Sequence, residues 1–122
     1  MKSAFISRVL LAATASMLAA QAAQAQNNYS TTFVTISNLV FYSASDSVYP
    51  QYAGSAVINF ATPLVWRYGN TCATGTVAIR PADKSLMTAV QAAQATGRPV
   101  QVFVDDAQTV DGVVCWLRAV EM

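Results

Sequence analysis

The sequence predicts an all-β domain with a single helix, its elements running β-β-β-α-β-β. Three observations carry this. β-Branched and aromatic residues fall in short runs, Gly and Pro punctuate the gaps between them, and only one segment has apolar residues at helical spacing. The chain has 122 residues, room for one ordinary domain.

The first 25 residues read as an export signal. Lys2 and Arg8 give a positive start, Val9 to Ala20 a short apolar run, and Ala23-Gln24-Ala25 a small-x-small cleavage site. The apolar run is shorter than the ~20 residues a membrane span requires. The expected organisation is therefore a signal peptide over 1–25 and a folded domain over 26–122, secreted or periplasmic, with no membrane insertion. Without Lys2 and Arg8 the remainder carries five basic and six acidic side chains, a net charge of −1.

After a polar lead-in at Asn27-Asn28-Tyr29-Ser30, Thr31 to Tyr42 reads as a long first strand. Phe33, Leu39 and Phe41 fall on one face, with Val34, Ile36 and Val40 on the other. Ser43 to Gly54 is a turn-rich loop. Ser55 to Tyr68 reads as the second strand, with Pro63 at a bulge or edge position because it has no N–H for the ladder. Ala73 to Arg80 is a third, shorter strand, ended by Pro81.

The helix is expected over Lys84–Thr96. Asp83 suits the N-cap, Leu86, Val90 and Ala93 with Met87 form the apolar stripe, Gly97 allows a left-handed stop, and Pro99 forbids continuation. Val100 to Asp105 is the fourth strand, Asp106 to Gly112 a turn, and Val113 to Val120 the fifth strand. An open sheet of five short strands leaves edges to protect, and closure into a Greek-key barrel removes most of them. The oligonucleotide/oligosaccharide-binding (OB) barrel has this order of elements, with its helix plugging one end.

A domain this small buries only ~60–65% of its unfolded surface, so a staple helps. The chain has two cysteines, Cys72 and Cys115, and in an oxidising compartment they pair. The bond is worth ~4 kcal/mol in the chain-entropy model.

Composition narrows the chemistry. With no His, the Ser-His-Asp and Cys-His arrangements and most zinc sites cannot be built. Near-neutral charge gives no field for nucleic acid. Asp105, Asp106 and Asp111 cluster around one turn, but their spacing is not that of an EF-hand. No metal, cofactor or catalytic residue is assigned, and the chain reads as a non-enzymatic binding protein. The candidate binding residues are Tyr49 and Tyr52 in the Ser-rich loop, and Trp66, Arg67, Tyr68 and Asn70 after the second strand. Aromatic faces pack on the apolar faces of sugar rings, while hydroxyl, amide and guanidinium groups bond sugar hydroxyls. The competing role for these aromatics is plain packing of core and loop. On the helix, Ser85, Thr88, Gln91, Ala92 and Ala95 form an uncharged face suited to contact with another subunit, or simply a helix of high Ala propensity.

The stretch Lys84-Ser85-Leu86, Ala92-Ala93, then Thr96-Gly97-Arg98-Pro99-Val100-Gln101-Val102 resembles the helix-to-strand segment of AB5-type toxin B subunits of the subtilase-cytotoxin and typhoid-toxin kind. That resemblance implies an OB fold, a homopentameric ring with helices lining a central pore, binding of host cell-surface glycans, and carriage of an enzymatic A subunit. Thr32 falls where the family has a glycan-binding Ser in its first strand, and Val104 where it has a Tyr. The family's early Cys has a local partner, whereas here Cys72 must reach Cys115. The alternative function is a monomeric envelope module that binds or inhibits another protein.

Overall fold

A computed structural model describes residues 27–69 and 72–122. The expected signal peptide and Asn70 lie outside the described residues. The described residues are mostly β with one α-helix. Its strands are β1 (Asn27–Tyr29), β2 (Ile36–Phe41), β3 (Ala56–Phe60), β4 (Thr76–Ile79), β5 (Gln101–Thr109) and β6 (Cys115–Glu121), with helix α1 (Lys84–Thr96) between β4 and β5. They form one mixed six-stranded sheet in the order β1-β5-β6-β4-β3-β2. All pairs are antiparallel except β4 with β6, which run parallel and meet at Ala78 and Trp116.

The sheet has six strands rather than the expected five, because the N-terminal stretch changes partner. Asn27–Tyr29, expected as lead-in, pairs with β5 as far as Phe103. Val34 then bridges Val100, and from Ile36 the chain pairs with β3 instead. A register shift between Ile36 and Asn38 accompanies the change. It also corrects the two-faced alternation expected here. Val34 and Ile36 are buried in the main core, and after the shift the odd-numbered Leu39 packs against that same core. β3 ends at Phe60 rather than running to Tyr68, so exposed Pro63 lies beyond the ladder and forms no bulge within it. β5 continues past Asp105 to Thr109, across a second irregularity, where a turn was expected.

The core is the inner face of this sheet. Ile58, Val77, Ile79, Val102, Val104 and Leu117 are fully buried. The period-2 pattern puts Val102 and Val104 inside and leaves Gln101, Phe103 and Asp105 half-buried on the outer face of β5. Helix α1 lays Met87, Val90 and Ala93 into the same core, and the face carrying Ser85, Thr88, Gln91, Ala92 and Ala95 is exposed. Its C-terminus is set by Gly97 at φ +68°, whose N–H returns to the Ala93 and Gln94 carbonyls. Its N-terminus differs from expectation. Asp83 occupies the cap position but makes no side-chain hydrogen bond, since its φ −89°, ψ 62° is not the extended geometry that turns a capping oxygen onto the first amides.

Cys72 and Cys115 form the disulfide, with Cα atoms 5.4 Å apart and 43 residues between them in sequence. It ties the connection between β3 and β4 to the first residue of β6.

Candidate ligand-binding site

The residues singled out in the sequence divide into two groups. The first is organised by the connection after β3. Leu64, almost fully buried, anchors it, with its N–H on the Thr74 carbonyl at 2.6 Å. The chain then runs beside β1. Thr31 donates to the Val65 carbonyl from its N–H at 2.8 Å and from its hydroxyl at 3.1 Å. Ser30 and Trp66 form a bridge, and Arg67 N–H reaches the Tyr29 carbonyl at 2.9 Å.

One buried side chain completes this arrangement. Asn28 donates from Nδ2 to the Tyr68 carbonyl at 2.8 Å. Its Oδ1 accepts the Tyr68 N–H at 3.0 Å and the Tyr29 N–H at 2.9 Å. An amide side chain so placed acts as one more rung of the ladder.

Tyr68 is thereby held edge-on to Tyr29, centroids 6.3 Å apart at 87°, while Tyr29 lies 5.6 Å from Phe103. The Arg67 guanidinium stands 5.3 Å from the centre of the Tyr68 ring. Tyr68 is 52% exposed, and among the described residues Arg67 has no ion pair. Thr32 is exposed, its carbonyl accepting the Ser30 hydroxyl at 3.1 Å. Trp66 is half-buried against the core, so the packing role fits it better than ligand contact. Val104 is fully buried core.

The second group lies elsewhere. The strap from Ser43 to Ser55 crosses the outer face of β3 and β4 and covers a small cluster of Tyr52, Val57, Ala78 and Val114. Of the two roles the sequence leaves open for Tyr52, its 8% exposure fits loop packing. Its ring stacks on Tyr42 at 5.0 Å, and its hydroxyl donates to Asp111 at 2.8 Å. Tyr49 remains exposed at the strap's tip, its N–H on Asp46 Oδ1 at 2.6 Å. The strap closes at Gly54, φ +76°, whose N–H reaches the Ser43 carbonyl.

Burial pushes the Tyr52 phenol well above its ordinary pKa, and the Asp111 hydrogen bond and charge and the neighbouring Tyr42 act in the same direction. A raised phenol favours the neutral form in the folded chain. Its contribution is complete below the unfolded value of ~10 and is lost as pH rises beyond it, where only the unfolded chain ionises first. Tyr52→Phe should cost ~1 kcal/mol at neutral pH and remove one late phenol from an alkaline absorbance titration. A Tyr52 ionising together with free tyrosine would refute this.

Of the clustered carboxylates Asp105, Asp106 and Asp111, two are likewise engaged. Asp111 also accepts the Val114 N–H at 3.3 Å, and Asp105 lies 3.6 Å from Arg80, whose guanidinium stacks on Trp116 at 5.2 Å.

The first group is therefore the candidate site: Tyr29, Tyr68 and Phe103 as an aromatic platform, with Arg67 over the Tyr68 ring. Tyr29 and Phe103 are not among the residues the sequence singles out. Phe103 was detectable as the outward-facing aromatic between Val102 and Val104. Asn28 and Tyr29 had no comparable local signal. No known family, curated protein or solved structure matches this chain.

Proposed function

We propose that this chain is a secreted, non-enzymatic binding subunit that takes a glycan on the Tyr29–Tyr68–Phe103 platform. In this reading it is an AB5-type B subunit, a homopentamer that carries an enzymatic A subunit. The observation that carries the reading is an exposed aromatic face with a guanidinium 5.3 Å above it and no ion pair on that guanidinium among the described residues. Such a pair offers a flat apolar surface for a sugar ring and a rigid fork of donors for its oxygens.

The OB barrel belongs to the same proposal. Its support is the succession of pairings: β1 on β5, the Val34–Val100 bridge, then β2 on β3. If β1 and β2 are one bent strand, the six strands reduce to five and the sheet closes at the Val34–Val100 bridge, beyond which β2 keeps an unpaired outer edge.

The experiment is a glycan array probed with the oxidised 26–122 protein and with Tyr68→Ala and Arg67→Ala, together with native mass spectrometry. Wild type should bind a defined glycan set as a species of five chains. Tyr68→Ala should weaken binding at least ~10-fold, equivalent to ~1.4 kcal/mol. Absence of binding by a correctly assembled wild type sinks the glycan reading. A monomer sinks the ring and favours the envelope module.

A further inference from the structure

From Asn27 to Trp66 the only charged side chain is Asp46, and every other charge after Asn27 lies at or beyond Arg67. Asp46 is itself committed, accepting the Tyr49 N–H. This stretch holds β2, the strap, β3 and the start of the next connection. Away from the β1 end it also holds five exposed large apolar side chains: Phe33 at 49%, Val40 at 37%, Phe41 at 49%, Val48 at 75% and Tyr49 at 52%. Depletion of charge around exposed apolar side chains marks the core of a protein interface.

The backbone points to the same place. β2 ends the sheet, with β3 as its one neighbour in the strand order. The opposite end, β1, is covered by Val65 to Tyr68 through the bonds described above. β2 therefore presents the uncovered edge. It has neither a Lys nor a Pro to block pairing, only the register shift near its start.

We infer that this uncharged half, centred on the β2 edge, is the face by which copies of this chain contact one another. A second copy is the occupant the charge pattern fits. Burying these residues calls for a partner surface equally free of charge, and this chain carries such a surface. Within β2, the strap and β3 themselves, an oppositely charged partner would find only Asp46 to pair with. The inference deepens the proposed ring by naming its contact face, but it does not depend on there being five chains.

The test is native mass spectrometry of the oxidised 26–122 protein as wild type, Val40→Lys, Phe41→Glu and, as control, Val113→Lys. Val113 is 51% exposed but lies outside the uncharged half. Far-UV circular dichroism and thermal melting establish that each variant is folded. Wild type and the control should be oligomeric at micromolar concentration, and each β2 variant should be a folded monomer.

On a glycan surface, monomeric Val40→Lys should keep single-site binding but lose ~100-fold or more in avidity. A monomeric wild type overturns the inference. So does an oligomer that survives both β2 variants, or one that the control disrupts equally. A wild-type oligomer of other than five chains, dispersed by Val40→Lys, rejects the ring and upholds the contact face. Dispersal without any glycan binding by wild type rejects the glycan reading alone.

Discussion

Replacing both cysteines, Cys72→Ser with Cys115→Ser, should lower stability by ~4 kcal/mol and the melting temperature by on the order of 20 °C. The loop released spans 43 residues, and small domains hold only ~5–15 kcal/mol in total. The loss should also fall unevenly. The disulfide pins the connection that runs past Leu64 to Tyr68, and the Ala73 N–H reaches the Val113 carbonyl at 2.7 Å just beyond Cys72. Without the covalent tie, amide exchange should quicken first at Arg67 and Tyr68 and last at Ile58 and Leu117 in the core. Equal melting of the oxidised protein and the double variant in denaturant would contradict this account.

Asn28→Ala should cost ~2 kcal/mol, because it removes the partner of the Tyr68 carbonyl and of the Tyr68 and Tyr29 N–H groups at once. Asn28→Asp is the sharper variant. It keeps the acceptor for both N–H groups but turns a carboxylate oxygen toward the Tyr68 carbonyl, replacing an attraction with a repulsion. Both variants should separate Tyr68 from Tyr29. The expected signs are loss of nuclear Overhauser contacts between the two rings and a weaker near-ultraviolet dichroism. Persistence of those contacts in Asn28→Asp would show that the backbone bonds of Thr31 and Arg67 suffice to hold the platform.

Legibility in the sequence followed the range of the interaction that set each feature. Helix α1 was read to the residue, because its end depends on Gly97 and Pro99 and its buried face on local spacing. The disulfide followed from there being a single pair of cysteines. The strands were placed in order but not in extent. Nothing within Asn27-Asn28-Tyr29 favours a strand, and only β5, far along the chain, makes it one. Likewise the apolar run after β3 suggests a continued strand, yet Ala61 to Pro63 turns the chain away. Among the candidate residues, Arg67 and Tyr68 were recognisable as exposed polar-aromatic neighbours. For Tyr52 the sequence leaves binding and packing open, because its burial depends on Val57 and Ala78 lying beneath the strap, which no local pattern reveals. The partner-switching first strand hid the parity change that puts Leu39 on the core side.

That same strand governs the order in which the protein can assemble. The Gln101 side chain reaches back 71 residues to the Ser30 carbonyl, and β1 finds its ladder only after β5 exists. Contacts of such long sequence separation form late and slowly, since loop closure must precede any compensating interaction. A chain emerging from the ribosome, or threading through a translocation channel, thus cannot complete its sheet until nearly all of it is free. The residues that follow the expected export signal are among the last to be locked in place. Until they are, the edge of β5 that they cover stays open to strand pairing with another chain.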